Sequence, residues 1–503
     1  VVGEFVSKTD LWRGKPVSYY VRKKYEDRMD NSFGNTLRML DFFSDRIGVE
    51  YPWDKYTQVC CYQFGGGMEN TSSTTLGERT LHDDRAHLDT SSDGLVAHEL
   101  AHQWWGDLLT CREWAHLWLN EGFASYFEAL WAEEDLGAEE FALNMSRKAR
   151  GAISGGKSKP IVYREYDHPG EQFDSRAYPK GAWVLHMIRR RLGDDMFWKA
   201  IHTYCTRHRH SSVETVDLRK AIEDVSGRSF ERFFHDWTER PGHPKVSSRY
   251  QWLADDKLAR IEIEQTQETD AFYFPLKLEF RFAEDAAPRT VTLDIREKQT
   301  SFYIPLARRP KLFRIDPDQA VLMELKRRQP RDLWVAQLTA DPNPVARIEA
   351  AGHLAGKGTD ADLRLLATRL REDGFWAVQA AIARELGKAK DDLAREALLA
   401  AVSTEHPKAR AAIVEALGHY PDDEAVESAL LRIIKIGDAS YRVETRAIDA
   451  YAKVCDEPPR DFLASLLDRD SQNETGPESV IELIASGPLA RSAIIATPID
   501  SAC

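Results

Sequence analysis

The chain has 503 residues, of which 43% are hydrophobic and 30% are charged, so it is long enough for three or more folded domains. No run approaches the ~20 apolar residues that span a bilayer, so no membrane span is predicted. The net charge of −13 argues against nucleic acid as the main partner. Six cysteines without paired C-x-x-C spacing suit a reducing compartment, and we expect a cytoplasmic protein. Because the first residue is Val1, we also expect the natural N-terminus to lie further upstream.

Short strands are predicted at the start of the chain, at residues 1–5 and 16–21, where β-branched and aromatic residues are frequent. Helical periodicity then dominates from residue 31 to about residue 245. The amphipathic segments in this region are residues 31–46, 116–135, 138–150, 178–192, 194–208, 215–226 and 228–238.

A glycine-rich segment follows the strand-like run at residues 56–62. Its sequence is Gly65-Gly66-Gly67-Met68-Glu69-Asn70. Glycines permit a positive φ and a close approach of the backbone to a ligand, and Glu69 places a negative charge beside them. A glycine-rich turn after a strand is usually only a turn, so this segment alone predicts no function.

A metal site is predicted at His98-Glu99-Leu100-Ala101-His102. On a helix, His98 and His102 leave the same face one turn apart, so two ring nitrogens can reach one ion. Glu99 projects to the side and can hold a water on that ion without becoming a ligand. Because the flanking residues are apolar, the helix is expected to be buried, where unsatisfied polar side chains would be costly.

Glu121 is the expected third ligand, since it follows His102 by 19 positions, which allows a turn and a second helix to return a carboxylate. Two histidines, one glutamate and a water form the open arrangement of a catalytic zinc site, with one Zn²⁺ per chain. Further along, Tyr178-Pro179-Lys180-Gly181 lies 76 positions after His102. A lone tyrosine is more often a core residue, so Tyr178 carries no prediction by itself.

The rest of the chain shows two further patterns. Residues 246–328 alternate with a period of two in about seven short strands, which predicts a small β-sandwich with no catalytic cluster. Residues 329–503 are helical and repeat, with comparable helices ending at Leu354, Leu386, Leu417 and Tyr451. Repeats of this length with small residues between helices are typical of a HEAT-like α-solenoid, which is a possible protein-binding surface.

Taken together, the motifs resemble the aminopeptidase N family of zinc metallopeptidases. The matching segments, in family order, are Tyr51–Tyr56 (Y-P-W-D-K-Y), Gly66–Asn70 (G-x-M-E-N), His98–His102 with Glu121 (H-E-x-x-H and its glutamate) and Tyr178–Gly181 (Y-x-K-G). The resemblance is close over residues 1–245 and extends over the remainder only as an order of domains.

The resemblance implies a role for each site residue. Residues 66–70 would lie along the substrate backbone, with Glu69 binding the free α-amino group. Glu99 would act as general base, His98, His102 and Glu121 would bind zinc, and Tyr178 would stabilise the oxyanion. The expected reaction is removal of N-terminal residues from peptides with a free N-terminus.

The implied fold class is multidomain α+β. Residues 1–25 would be the remnant of an N-terminal β-domain, and residues 26–245 a mainly helical, thermolysin-like catalytic domain. Residues 246–328 and 329–503 would be the β-sandwich and the HEAT-like domain. Since family members usually carry a large N-terminal β-domain that closes one side of the site, the chain is expected to lack part of the surroundings of its active site.

Two alternative functions remain open. A leukotriene-hydrolase-like epoxide hydrolase shares the G-G-M-E-N form of residues 66–70, although the β-sandwich argues against that relative. A catalytically inactive protein-interaction scaffold would lack a ligand or the base, and His98, Glu99, His102 and Glu121 are all present.

Overall fold

The computed structural model describes residues 1–155, 158–282, 287–455 and Leu466. These residues form two compact units, one of residues 1–81 with 92–345 and one of residues 82–91 with the chain from residue 346 onward. Among the described helices, none is both long enough and apolar enough to cross a membrane.

The first unit begins with a five-stranded sheet. Its strands are β1 Val6–Trp12, β2 Lys15–Val21, β3 Tyr56–Cys61, β4 Gly67–Met68 and β5 Ser73–Gly77, in the order β1-β2-β3-β5-β4. β3 is parallel to β2 and β5, whereas β1 and β4 pair antiparallel with their neighbours. The glycine-rich segment is therefore the short edge strand of this sheet.

The strand predicted at residues 1–5 is wrong, because the first strand is β1. Arg13 and Gly14 both have positive φ, 46° and 83°, and form a tight hairpin turn that pairs β1 with β2. β1 lies at the sheet edge with mostly exposed side chains, so its sequence lacks the apolar alternation on which the prediction relied.

Helices make up most of the first unit. The helices up to residue 340 are α1 Met29–Phe33, α2 Thr36–Ile47, α3 Asp84–His87 (part of the second unit), α4 Asp93–Ala101, α5 Trp118–Leu136, α6 Ala138–Gly155, α7 Gly181–Leu192, α8 Asp194–Arg207, α9 Thr215–Ser226, α10 Glu231–Phe234 and α11 Arg331–Ala340. Single π-helical turns occupy Arg176–Lys180 and His235–Glu239, and the short strands β6 Leu109–Cys111 and β7 Ser211–Val213 pair in parallel. The helix predicted over residues 31–46 is interrupted at Gly34 and Asn35, between α1 and α2.

An aromatic core lies behind α4 and α5. Trp105, which follows α4, stacks on Phe123 of α5 with ring centroids 4.3 Å apart, and Trp104 packs edge-on against Phe43 of α2 at 6.3 Å. These side chains are fully buried. Large aromatic surfaces of this kind bury much apolar area, so they hold the two helices in a defined relation.

Residues 245–328 form two facing sheets. The strands are β8 Lys245–Leu253, β9 Leu258–Gln265, β10 Phe274–Arg281, β11 Arg289–Ile295, β12 Gln299–Pro305, β13 Leu312–Ile315 and β14 Glu324–Arg328, in the orders β12-β9-β8-β14 and β11-β10-β13. Tyr250 of β8 packs on Phe313 of β13 with ring centroids 4.9 Å apart, so the inner faces of the two sheets are in contact. The predicted small β-sandwich is confirmed.

The second unit consists of helices that repeat. After α3, they are α12 Pro344–Ala355, α13 Asp360–Glu372, α14 Trp376–Ala389, α15 Asp392–Ala400, α16 Pro407–Leu417, α17 Glu424–Ile436 and α18 Tyr441–Val454. A Cβ on Gly387 would lie 3.0 Å from Cβ of Ala416, and a Cβ on Gly418 would lie 3.1 Å from Cα of Ala450. Small residues thus allow α14, α16 and α18 to stack closely. The parts of the predicted repeat domain at residues 456–465 and 467–503 lie outside the described residues.

Candidate metal centre and active site

The two predicted histidine ligands lie one turn apart at the end of α4. His98 is in the last turn of the helix, and His102 forms its C-terminal cap while keeping helical backbone angles. Their Nε2 atoms are 3.2 Å apart. The surrounding helix is buried through Val96, Ala97, Leu100 and Ala101.

Glu121, in the first turn of α5, completes the group. Its Oε2 atom lies 3.2 Å from Nε2 of His98 and 3.2 Å from Nε2 of His102. The three atoms thus form an equilateral triangle. Ligand atoms about 2.0–2.1 Å from a tetrahedral zinc ion are about 3.3 Å from one another, so the triangle fits zinc and leaves a fourth position open. Among the described residues, this is the one group of three His, Cys, Asp or Glu side chains with such geometry.

A hydrogen bond outside the triangle orients His102. Its Nδ1 atom lies 2.8 Å from the carbonyl oxygen of Trp105. Since a carbonyl can only accept, Nδ1 donates a hydrogen bond to it, and Nε2 is the atom that faces the triangle. Metal-binding histidines commonly have this arrangement.

The charges of the triangle favour a bound cation. Burial opposes the negative charge of Glu121, but hydrogen bonds from His102 and His98 outweigh that effect and lower the pKa of Glu121 to about 2. For His102, burial opposes a positive charge, and the contact with Glu121 outweighs it and raises the pKa to about 10. Glu121 is therefore a carboxylate in this environment and stabilises positive charge at His102, whereas burial lowers the pKa of His98.

Glu99 lies beside the triangle without joining it. Burial raises its pKa to about 8, and its Oε2 atom has no hydrogen-bond partner among the described residues. Gly67 of β4 packs directly on this side chain, since a Cβ at position 67 would fall 2.1 Å from Oε1 of Glu99. A buried carboxyl group with an unpaired oxygen and a pKa near neutral pH can both take up and release a proton, so Glu99 is a candidate for proton transfer.

The glycine-rich segment reaches the metal centre through edge strand β4. Gly66 has a φ of +76°, which favours glycine, and its carbonyl accepts a hydrogen bond from the amide of Gly77 at 3.0 Å. Met68 is 40% exposed. The outer edge of β4 is thus free of strand partners within the described sheet and lies next to Glu99.

Glu69 adds a carboxylate to the same site without being a ligand. Its negative charge contributes to the raised pKa values of Glu99, His102 and Tyr178. Asp107 is a further carboxyl group nearby, and burial raises its pKa to about 7. The site therefore holds more carboxylates than the metal triangle requires.

Tyr178 lies next to the metal centre, where its ring contacts His98. It lies in the π-helical turn before α7, and its ring stacks on His98 with centroids 6.0 Å apart and an interplanar angle of 9°. Burial and then the neighbouring Glu121 raise its pKa, so the hydroxyl keeps its proton. The turn is anchored by Lys180, whose Nζ donates to the carbonyl of Gly242 at 2.9 Å.

Two glycines bring Tyr178 and Glu121 together. Gly122 on α5 and Gly181 at the start of α7 face each other, and a Cβ on Gly181 would lie 2.9 Å from Cα of Gly122. Real Cβ atoms do not approach a backbone this closely. The contact therefore requires glycine at both positions and lets the Tyr178 turn lie directly on the metal-binding helix.

The structure brings together nearly all the residues predicted for the site: His98, Glu99, His102 and Glu121, with Gly66, Gly67, Met68, Glu69 and Tyr178 around them. Asn70 differs, because its side chain donates to Oγ1 of Thr75 at 3.2 Å and braces the β4–β5 turn instead. The sequence did not predict that four further residues contribute to the site: Gln103, Asp107, Gly122 and Gly181. The one sequence signal for Gln103 was a polar residue between a metal ligand and two buried tryptophans.

Comparisons with known proteins find similar domains in two regions of the chain. Residues 31–237 match the peptidase family M1 domain. This match covers the part of the chain that holds the metal centre. The resemblance to the aminopeptidase N family is thereby confirmed. Residues 331–418, 363–435 and 396–475 match HEAT repeats, which confirms the predicted repeat class.

Similar M1 proteins include aminopeptidase M1 of Arabidopsis thaliana, 36% identical over 243 residues that cover 46% of this chain and 27% of the relative. Aminopeptidase N of Lactococcus lactis subsp. lactis is 33% identical over 252 residues, covering 46% of this chain and 28% of the relative. The chain thus spans less than a third of the length of these relatives. The crystal structure of Legionella pneumophila aminopeptidase A in complex with aspartic acid has a similar fold, with a TM-score of 0.68 at 15% identity over 97% of this chain and 68% of that one.

We expect the protein to bind one zinc ion per chain, and Glu121→Gln to weaken zinc binding by about 100-fold or more, because it removes the charged ligand. Metal content after dialysis and the zinc-dependent rise in Tm measure this. Glu128→Gln is the control, since Glu128 lies two turns further along α5 and pairs with Lys148 instead. Equal zinc binding by both variants would contradict the metal site.

Gly181→Ala is expected to lower the free energy of unfolding by about 1–3 kcal/mol, because the added methyl group collides with Gly122. Gly352→Ala on α12 is the matched control, since a Cβ there meets nothing within 4 Å. Alanine in an open helical position is favourable by up to about 1 kcal/mol, so the two changes should have opposite signs. Urea unfolding followed by tryptophan fluorescence measures both, and equal midpoints would refute the close contact.

Proposed function

We propose that this chain is a zinc-dependent aminopeptidase that removes N-terminal residues from peptides with a free α-amino group. One observation carries the proposal. Glu69 is a carboxylate outside the His98–His102–Glu121 triangle, and its negative charge helps to raise the pKa of both Glu99 and His102. A metal site alone would support hydrolysis in general. A second anionic group at the substrate edge supports recognition of a cationic chain end.

The metal centre supports hydrolysis by water. A zinc ion held by the triangle would supply a Lewis acid that lowers the pKa of a coordinated water from about 15.7 toward about 7. Glu99 is placed to accept a proton from the attacking water and to deliver it to the nitrogen of the leaving amine. A carbon–oxygen bond forms and the carbon–nitrogen bond of the peptide breaks. Glu99 carries the proton from the attacking water to the leaving amine, so no proton is left over.

Tyr178 supports the reaction from the other side of the scissile carbonyl. Its raised pKa keeps the hydroxyl protonated, so it can donate a hydrogen bond to the oxygen as negative charge develops there. Such a bond is stronger in the transition state than in the substrate and therefore accelerates the reaction.

Edge strand β4 supports substrate binding. An extended peptide can pair with its free edge, as in other cases of strand addition, and its N-terminus would then meet Glu69. We propose that the ammonium group pairs with this carboxylate, which determines which peptide bond faces the metal centre. The HEAT repeats of the second unit are a candidate surface for a protein partner.

The inactive-scaffold alternative has less support, because the base, the three ligands and Tyr178 are all present and adjacent. The epoxide-hydrolase alternative is disfavoured by the β-sandwich at residues 245–328. Both alternatives are open to the following tests.

Glu99→Gln is expected to lower kcat for an aminoacyl anilide by about 10²–10⁴-fold, because the amide keeps the size of the side chain but cannot take the proton. Zinc content should not change, since Glu99 is not a ligand. Glu128→Gln serves as the control for loss of one carboxylate. Equal turnover by Glu99→Gln and the unmodified protein would rule out the proposed mechanism.

Glu69→Gln is expected to raise KM for free-amine substrates by about 10-fold or more with a smaller change in kcat, because a hydrogen bond to a charged group is lost. Paired alanyl anilide substrates, with a free and with an acetylated amino group, provide the measurement. If the unmodified protein cleaves the acetylated substrate as fast as the free one, the aminopeptidase assignment fails while a metallopeptidase remains.

A further inference from the structure

Gln103 is a fully buried amide directly after the metal ligand His102. A buried amide requires hydrogen-bond partners for both its donor and its acceptor. The Nε2 of Gln103 donates to the carbonyl of Glu69 at 3.0 Å, and its Oε1 accepts from the amide of Ser72 at 2.7 Å. Both of its backbone partners thus belong to the segment that carries Glu69.

The segment that Gln103 holds is a strained turn between β4 and β5. Ser72 has a φ of +60°, which is unfavourable for a residue other than glycine. The amide of Ser73 donates to the carbonyl of Asn70 at 2.7 Å and closes the turn. The carbonyl of Glu69 and the amide of Ser72 point inward, and the side chain of Gln103 satisfies both.

The backbone of Gln103 is itself firmly held. Its carbonyl accepts a hydrogen bond from Nε1 of Trp53 at 3.1 Å, and its amide donates to the carbonyl of Leu100 in α4. Gln103 is therefore rigidly joined to the helix of the metal ligands at one end and to the Glu69 turn at the other. Its side chain is thus a direct link between the metal-binding helix and the Glu69 turn.

We propose that Gln103 is a positioning residue that sets the distance from the metal ligands to Glu69, and so determines that the first peptide bond is the one cleaved. This inference rests on the proposed aminopeptidase function. An amide suits the task because it offers a donor to a carbonyl and an acceptor to an N–H, whereas a carboxylate or a lysine offers only one of the two.

The chain contains a matched control for this role. Gln265 in β9 is also buried, its Oε1 accepts from the amide of Phe272 at 2.9 Å, and its Nε2 donates to the carbonyl of Phe272 at 3.0 Å. It thus holds backbone groups in the same way, but within the β-sandwich. A general cost of removing a buried glutamine would be the same at both positions.

The test compares Gln103→Met, Gln103→Asn and Gln265→Met in the zinc-loaded full chain. Methionine keeps the volume of glutamine without either hydrogen bond, and asparagine keeps the amide but is too short to reach both partners. The measurements are zinc content, Tm, kinetics on alanyl anilide with a free or acetylated amino group, and hydrogen–deuterium exchange at the Ser72 amide.

For both Gln103 variants we expect unchanged zinc content, a KM for the free-amine substrate raised by about 10-fold, and faster exchange at Ser72. The preference for the free over the acetylated substrate should fall by a similar factor. Gln265→Met should lower Tm comparably and leave KM and Ser72 exchange unchanged. If Gln103→Met does not fold, the comparison of Gln103→Asn with Gln265→Met tests the proposal.

Unchanged KM and unchanged Ser72 exchange in the Gln103 variants would overturn the proposal, as would equal effects from Gln265→Met. Loss of zinc in the Gln103 variants would also overturn it, because the residue would then support the metal helix instead. If the unmodified protein cleaves neither substrate, the proposed function fails, and the exchange at Ser72 still decides whether Gln103 holds the Glu69 turn.

Discussion

The rest of the site depends on one constraint: three polar ligand atoms are held 3.2 Å apart inside the protein. Burying two imidazoles and a carboxylate is unfavourable unless a cation and hydrogen bonds compensate. The two helices that carry them must therefore resist separation. The stacking of Trp105 on Phe123 supplies that resistance with apolar contacts immediately behind the ligands.

The groups proposed to act on a substrate are attached to these same two helices by short, direct contacts. Gln103 ties the Glu69 turn to the end of α4, and the Gly122–Gly181 contact ties the Tyr178 turn to α5. Each contact involves backbone atoms, which have few alternative positions. The geometry of the substrate groups relative to the metal ligands therefore follows from local packing within the first unit.

Much of this could be predicted from the sequence, because it depends on local spacing. The positions of His98 and His102 determine that they share a helix face, and the alternation of residues 246–328 predicts a sandwich. The contacts between distant segments could not be predicted. Gly122 and Gly181 touch only because α5 and α7 cross there, and no local pattern reports such a crossing. The edge strand β1 was missed for a related reason, since an exposed strand carries no apolar alternation.

The same charged groups bear on both the proposed substrate recognition and the proposed metal binding. Glu69, Glu99, Asp107 and Glu121 are close enough to influence one another, and burial raises the pKa values of Glu99 and Asp107 to about 8 and about 7. Burial and mutual repulsion thus oppose full ionisation of this cluster, and a low-dielectric site strengthens the repulsion. A divalent cation held by His98, His102 and Glu121 would offset the charge at the triangle. In the proposed function, the ammonium group of a substrate would offset the charge of Glu69 at the edge of β4, and an acetylated chain end would not. The proposed preference for a free N-terminus rests on the same electrostatics as the proposed metal binding.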